Sequence, residues 1–179
     1  MFAETYGLVR SRIAREGTPA RPQVSEHVLQ CIWYDKLFPD TDLRTDEGMP
    51  IRIVSPGRWN RSEGPDFKGA EVAFNGVSRT GDVEIHLAHA GWKQHGHDID
   101  GRYDNVILHV VFDMVSPREA PYTSQGRRVP VLLLGNYIDL DLMAGDDEQA
   151  NVYPQDLPAA QGQCAVFVAE FGPDRIGAL

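Results

Sequence analysis

The spacing of apolar residues along the chain predicts one amphipathic helix that begins near residue 25. Ser25 is a favoured residue at a helix N-cap, and Glu26 suits the positively polarised first turn. Downstream, apolar residues recur at the period of a helix with one buried face. These apolar residues are Val28, Leu29, Ile32, Trp33 and Leu37. The sequence Phe38-Pro39-Asp40 predicts the end of the helix, because proline cannot continue it.

The middle of the chain has the pattern of strands. Residues 82–88 alternate strictly, with Val83, Ile85 and Leu87 on one face and Glu84, His86 and Ala88 on the other. Asn75-Gly76 is a hairpin signal between two such patterns. Residues 105–112 are almost continuously apolar, which is typical of a central strand covered on both faces. The remaining predicted strands are 51–54, 70–74 and 129–134, and the polar residues 91–102 predict a loop or a short helix.

This order of elements predicts an α/β fold in which helices flank one mixed central sheet. No Gly-x-Gly-x-x-Gly sequence follows a strand and no phosphate-binding Walker loop is present, so the common nucleotide-binding folds are excluded. The length of 179 residues suits one domain of ordinary size. We expect a basic N-terminal segment over 1–24, the α/β domain over 25–138, and an acidic loop with a C-terminal piece over 139–179.

Composition and charge indicate the cellular compartment more clearly than they indicate the function. The formal net charge is −9, but residues 129–179 hold eight acidic residues and one basic residue, so the rest of the chain is close to neutral. The charge therefore leaves a nucleic-acid partner open. The chain has no apolar run long enough to span a membrane and no secretory signal, and its two cysteines are far apart, so we expect a cytoplasmic protein without a membrane partner. No feature indicates an oligomeric state.

Residues able to bind metal or move protons are concentrated between residues 63 and 109. Asp66 follows Gly64-Pro65 at the entry to a predicted strand, where a carboxylate can be held rigidly; closing the turn is its alternative role. Glu84 and His86 lie about 6.5 Å apart on one face of a predicted strand. The alternative is that this face is simply the solvated side of an amphipathic strand. Two carboxylates from neighbouring strands suit Mg²⁺ or Mn²⁺, with His86 as a proton-transfer or charge-stabilising partner.

Histidines supply a second kind of candidate site. Five of the six histidines lie within 24 residues: His86, His89, His95, His97 and His109. His95 and His97 lie on a glycine-containing loop and could bind Zn²⁺ with His86 and His109, or they could simply cap neighbouring elements. His109 sits in an apolar run, so a buried histidine with a hydrogen-bond partner is the expected role. Lys93 and His95 are possible helpers of His86.

The order of a helix, a strand with Pro65-Asp66, a strand with Glu84-Ile85-His86 and a later strand resembles the core of the PD-(D/E)XK nuclease superfamily. The resemblance implies a restriction-endonuclease-like αβββαβ core. It also implies that Asp66, Glu84 and the main-chain carbonyl of Ile85 bind the metal ion, with Glu26 as a further acid. This chain has His86 where the superfamily has lysine.

The chain is more closely similar to a bacterial family of proteins of unknown function. The shared motifs are Gly-Pro-Asp-Phe at 64–67, Gly-x-Val-Glu-Ile-His at 81–86, and Trp-x-x-His-x-His through Asn-Val-Ile-Leu-His-Val-Val over 92–111. Members of that family continue past the point where this chain ends, so we expect a shortened version of the family's domain.

The leading hypothesis is a metal-dependent nuclease that hydrolyses nucleic-acid phosphodiester bonds. Arg58, Arg61 and Lys68 are candidate phosphate contacts or ordinary solvated charges. Trp59 and Trp92 are candidate stacking surfaces for bases, or they pack in the core or at its rim. Two alternatives stand beside it. One is a catalytically inactive nucleic-acid-binding or scaffold domain of the same fold, and the other is a zinc-binding protein that uses the histidine cluster.

Overall fold

A computed structural model describes residues 24–113 and 119–138 of the protein. All but one residue of the predicted basic N-terminal segment, and the whole predicted acidic C-terminal segment, lie outside these residues. Within the described part, no helix is both long enough and apolar enough to cross a membrane.

Helix α1 (Glu26–Tyr34) begins where the sequence predicts. The side chain of Ser25 accepts a hydrogen bond from the backbone N–H of Val28, which confirms its capping role. The predicted end at Phe38-Pro39-Asp40 is wrong, because Lys36 adopts a left-handed conformation (φ 54°). The backbone N–H groups of Lys36 and Leu37 turn back to the carbonyls of Trp33 and Ile32, closing the helix in a Schellman motif.

The strands form one mixed six-stranded sheet. They are β1 (Ile51–Ser55), β2 (Arg58–Trp59), β3 (Phe67–Phe74), β4 (Val77–Ala88), β5 (Val106–Asp113) and β6 (Val131–Leu133). The spatial order is β1-β3-β4-β5-β6, and β2 pairs with β3. Strands β1 to β4 pair antiparallel, whereas β4–β5 and β5–β6 are parallel. The predicted mixed sheet is therefore confirmed.

The hairpin between β3 and β4 turns at Asn75-Gly76, as predicted. Both residues have positive φ, 48° and 79°, as expected for the two-residue turn that matches the twist of a hairpin. Strand β4 is longer than its predicted alternating part, because its first residues, Val77–Thr80, are exposed and carry no burial signal.

Strands β4 and β5 separate two differently packed layers. Val83 and Ile85 join α1 in the main apolar core, which also includes Leu29 and Trp33. Glu84, His86 and His109 lie on the opposite face, since side chains alternate along a strand and Glu84 pairs with His109 in the parallel register.

The crossover between β4 and β5 covers this second face. It includes the short helix α2 (Gly91–Gln94) and a 3₁₀ helix (Gly101–Tyr103). Trp92 and Tyr103 pack there with Val106 and Val129 in a smaller apolar cluster. As predicted, β5 is central and buried on both sides, with neighbours β4 and β6.

Replacing Gly81 should destabilise the protein, because the crossover returns directly against this residue. A Cβ at Gly81 would lie 2.8 Å from the carbonyl oxygen of Asn105 and closer still to the side chain of Ile107. We expect Gly81→Ala to lower the free energy of unfolding by about 1–3 kcal/mol in urea denaturation. Gly101→Ala is the control, since its Cβ would meet nothing nearer than 3.7 Å, and equal losses in the two variants would contradict the packing argument.

Candidate metal centre

Strand β4 contributes a carboxylate and an imidazole to the covered face of the sheet. Glu84 is 5% exposed and His86 is 2% exposed, although their strand neighbours Val83 and Ile85 already fill the opposite core. His86 is packed against the start of α2, where a Cβ on Gly91 would lie 2.7 Å from its ring. The absence of a side chain at Gly91 is therefore what lets the imidazole lie in this layer.

The crossover brings two more imidazoles to the same place. Helix α2 ends at Gln94 with His95 as its C-cap, and the following turn passes through Gly96, which has a φ of 73°. The ring of His97 is stacked on that of Tyr103, with 3.7 Å between the ring centroids, and is buried, whereas His95 is exposed. The centre is thus lined by sheet residues on one side and by the crossover on the other.

Three pairs of donor atoms from Glu84, His86, His95 and His97 lie at separations found between ligands of one ion. His86 Nε2 is 3.0 Å from His95 Nδ1 and 3.5 Å from Glu84 Oε1, and Glu84 Oε1 is 3.2 Å from His97 Nε2. Ligand atoms of the three histidines all fall within 4.8 Å of one another. Ligands held about 2.1 Å from a single ion lie roughly 3.0–3.4 Å apart, which is close to these three separations.

His97 carries a second indication of a missing partner. Neither of its ring nitrogens has a hydrogen-bond partner among the described residues, although the side chain is buried. The 3.2 Å contact between Nε2 and Glu84 Oε1 is close enough for an ion pair but is not aligned as a hydrogen bond. A buried, unpaired nitrogen is costly, and a bound ion would satisfy it.

Asp66 joins the centre from the start of β3. Its backbone N–H donates to Glu84 Oε2 at 3.0 Å, so the two predicted carboxylates are neighbours. Its own carboxylate accepts hydrogen bonds from the backbone N–H of Ile85 (3.0 Å) and from the side-chain amide of Gln30 (2.9 Å). Asp66 is therefore held in one orientation by β4 and α1 together.

Burial sets the ionisation of the carboxylates. Desolvation and the charge of Glu84 raise the pKa of Asp66 to about 7, and desolvation with the charge of Glu26 raises the pKa of Glu84 to about 8. Desolvation and the charge of Asp66 also raise the pKa of Glu26. In the absence of a cation, Glu84 is therefore mostly protonated at neutral pH and Asp66 is partly protonated.

The buried imidazoles of His86, His97 and His109 are kept neutral by the same effect. Desolvation, followed by the neighbouring histidines, lowers the pKa of His86 to about 3. The pKa of His97 is lowered chiefly by desolvation, and that of His109 is held well below its ordinary value. Neutral imidazoles are the form that binds metal ions.

His109 supports His86 from β5. It is fully buried, and its Nε2 lies 2.9 Å from His86 Nδ1, whereas its Nδ1 has no hydrogen-bond partner among the described residues. When His86 binds an ion through Nε2, its ring proton is on Nδ1. The Nδ1–H group then donates a hydrogen bond to Nε2 of His109.

Three of the sequence-based candidates for phosphate contact, base stacking and help to His86 have other roles in the structure. Lys68 is ion-paired with the buried Asp82 at 3.0 Å, and Lys93 is ion-paired with Glu119 at 2.7 Å on the surface. Arg58 and Arg61 are exposed. Trp92 is 2% exposed and donates its indole N–H to the carbonyl of Tyr122, so its face is not available for base stacking.

Two contributors were not identified from the sequence. Gln30 follows Glu26 by one helical turn, so the two side chains share a face of the helix. This spacing could have identified Gln30 as a neighbour of the acidic residues. Tyr103 gave none, because only the folded crossover brings its ring against His97.

Comparison with known proteins locates the chain in one family. No curated protein and no solved structure gave a significant match. The model of a family described as "Protein of unknown function (DUF2851)" matches residues 26–161, which include α1, the whole described sheet and every side chain of the centre. The chain therefore belongs to the DUF2851 family.

Proposed function

We propose that the protein is a metal-dependent hydrolase that cleaves nucleic-acid phosphodiester bonds, with one divalent ion held by Glu84, His86, His95 and His97. The observation that carries this proposal is the separation of 3.0–3.5 Å between neighbouring donor atoms of these four side chains. The unpartnered nitrogens of buried His97 support it independently.

The donor set favours Zn²⁺ or Mn²⁺ over Mg²⁺. Three imidazoles and one carboxylate suit borderline transition-metal ions, whereas Mg²⁺ prefers oxygen ligands. The oxygen site inferred from the nuclease resemblance consists of Asp66, Glu84 and the carbonyl of Ile85. The N–H of Ile85 faces Asp66. Because the N–H and C=O of one strand residue point to the same side, the carbonyl of Ile85 lies on the side of Asp66 as well. Mn²⁺ is compatible with either donor set.

Within the mixed α/β fold, the more specific proposal is a restriction-endonuclease-like core. Its support is the order in which α1 is followed by β3 with Asp66, β4 with Glu84, the crossover helix and β5. Electrostatic coupling between Glu26 and Asp66 fits an acid contributed by the first helix. His86 departs from the superfamily pattern in chemistry as well as in identity, because a neutral imidazole does not supply the positive charge of lysine.

In the proposed reaction, the four donors hold the ion and Asp66 acts as the proton acceptor. A divalent ion held by Glu84, His86, His95 and His97 would polarise the phosphodiester and lower the pKa of a nearby water. Asp66, oriented by Gln30 and the N–H of Ile85, accepts the proton of the attacking water. The water oxygen bonds to phosphorus, the ester P–O bond breaks, and the leaving oxygen takes a proton from solvent.

A structural zinc site is the second candidate. Glu84, His86 and His97 are almost fully buried, and only His95 of the four donors is exposed. Closed coordination with little solvent access is typical of structural zinc rather than of catalytic zinc. The two candidates differ in activity but agree on the ligands, and the predictions below separate them.

Removing one donor should abolish metal binding. His95→Ala changes an exposed residue, so the fold should persist while affinity for Zn²⁺ and Mn²⁺ falls more than about 100-fold, beyond the loss typical of a supporting residue. Isothermal titration calorimetry and metal analysis of the purified protein measure this. His27→Ala, which alters an exposed histidine away from the centre, is the control. Affinity and metal content in His95→Ala equal to those of the unsubstituted protein would contradict the site.

Asp66→Asn should stop hydrolysis while metal binding persists. The amide cannot accept a proton from water, so cleavage of a labelled oligonucleotide with Mn²⁺ or Zn²⁺ should drop by about 100-fold or more. Asp113→Asn, an exposed residue at the end of β5, should cleave normally. If the unsubstituted protein binds metal yet cleaves no substrate with Zn²⁺, Mn²⁺ or Mg²⁺, the structural-zinc candidate is favoured.

Metal affinity should rise with pH between about 6 and 8. Burial gives Glu84, the proposed carboxylate ligand, a pKa of about 8, so at pH 6 an ion must displace its proton. Calorimetry in two buffers of different ionisation enthalpy measures the protons released, and Glu84→Gln should release fewer. Affinity that does not change with pH would argue against Glu84 as a ligand.

The same shifts give a stability change of definite sign in the metal-free protein. Both folded-state pKa values lie above those of the unfolded chain, so the stability due to protonation is greatest below about pH 4 and is lost as pH rises through 7 and 8. The buried histidines, whose pKa values are lowered, oppose this trend below about pH 6.5, so thermal unfolding with chelator should show the decline above that pH, and added metal should reverse it.

A further inference from the structure

We infer that three aromatic residues beside Asp66 form a stacking surface for single-stranded nucleic acid. This surface, the aromatic platform, consists of His27 and Tyr34 on α1 and Trp59 on β2. The inference rests on the proposed nucleic-acid substrate and narrows it to unpaired strands.

The rings of the platform lie side by side. The centroid of Trp59 is 5.6 Å from that of His27 and 5.7 Å from that of Tyr34. His27 and Tyr34 are two helical turns apart and therefore share one face of α1. Beneath them, the buried ring of Phe67 lies 5.3 Å from Trp59 and 6.2 Å from Tyr34, which gives the platform a rigid floor.

The platform is open to solvent. Tyr34 is 44% exposed, His27 is exposed and Trp59 is partly buried. Grouped aromatic rings that remain in contact with water lose the free energy that burial would provide, and such patches commonly mark binding surfaces. A nucleobase stacked on the rings would recover that free energy.

Uncompensated positive charge flanks the platform. Arg58 and Arg61 are exposed, lie on either side of Trp59 in the chain, and form no ion pair with any other residue in the described part of the protein. By contrast, Arg102 and Arg128 are paired with acidic residues. Free arginines beside aromatic rings are the combination that binds a single strand, since phosphates contact the cations while bases stack.

The platform is connected directly to the carboxylate end of the centre. Gln30, on α1 between His27 and Tyr34, donates to the Asp66 carboxylate. Asn60, which follows Trp59, donates its backbone N–H to the Asp66 carbonyl at 2.7 Å. A strand whose bases rest on the platform would therefore have its backbone next to the residue proposed to accept the proton from water.

The exposed ring faces also select the form of the nucleic acid. Bases within a duplex are already stacked on each other, so the rings can accept only unpaired bases. Neutral sugars can also lie on aromatic rings, but they would leave Arg58 and Arg61 without partners. A negatively charged single strand satisfies both features.

Tryptophan fluorescence tests the inference on one defined ring. The protein has three tryptophans, and Trp33 and Trp92 are 0% and 2% exposed, so a stacking ligand quenches Trp59. We expect oligo(dT) to quench the full chain in the presence of EDTA, and a duplex of equal length to bind more weakly. Because no metal is needed, failure of hydrolysis and failure of this binding are distinguishable.

Variants locate the binding on the platform. Tyr34→Ala and His27→Ala should each weaken oligo(dT) binding about 5- to 100-fold, as expected for the loss of one stacking partner. Arg61→Ala should reduce the salt dependence of binding. Tyr122→Ala, which removes a comparably exposed aromatic ring elsewhere, should bind like the unsubstituted protein.

Three results would overturn the inference. Inorganic polyphosphate that quenches as strongly as oligo(dT) would indicate charge without stacking. A neutral oligosaccharide that quenches while oligo(dT) does not would assign the platform to carbohydrate. Absence of quenching with all ligands would show that the platform binds none of them.

Discussion

The buried carboxylate of Glu84 is the point on which the surrounding segments converge. A carboxylate withdrawn from water needs partners on every side, since its desolvation costs several kcal/mol. Here the partners come from three segments: the backbone of Asp66 at the start of β3, His86 on the same strand, and His97 on the crossover. The requirement to surround one polar group thus fixes how the crossover and the start of β3 approach the centre of the sheet.

The resulting environment is polar in composition but low in charge. Burial favours the protonated carboxyls of Asp66 and Glu84 and the neutral imidazoles of His86 and His109. Such a group of side chains can be closed over by the crossover without a large electrostatic cost. A divalent cation would reverse the preference of the carboxyls, so folding, proton release and ion binding would be linked in this domain.

The sequence allowed good predictions where the relevant forces are local. Alternation in β4 predicted that Glu84 and His86 share a face, Asn75-Gly76 predicted the hairpin, and Ser25 predicted the start of α1. Other features depend on tertiary contacts. The end of α1 depends on the backbone of Lys36, and the approach of His95 to His86 depends on the path of the whole crossover. Spacing along the chain could not distinguish a lysine held by Asp82 from one free to contact phosphate.

The four proposed ligands come from two kinds of segment. Two lie on strand β4 of the sheet, and two lie on the crossover between β4 and β5. Glu84 and His86 are tied to strand register, because a shift of one residue would turn them into the apolar core. His95 and His97 lie on the connection between the strands and are therefore not tied to the strand register. Divergence among descendants of such a fold can therefore exchange the imidazoles for other side chains, and acquire a new inorganic chemistry, without rebuilding a single strand.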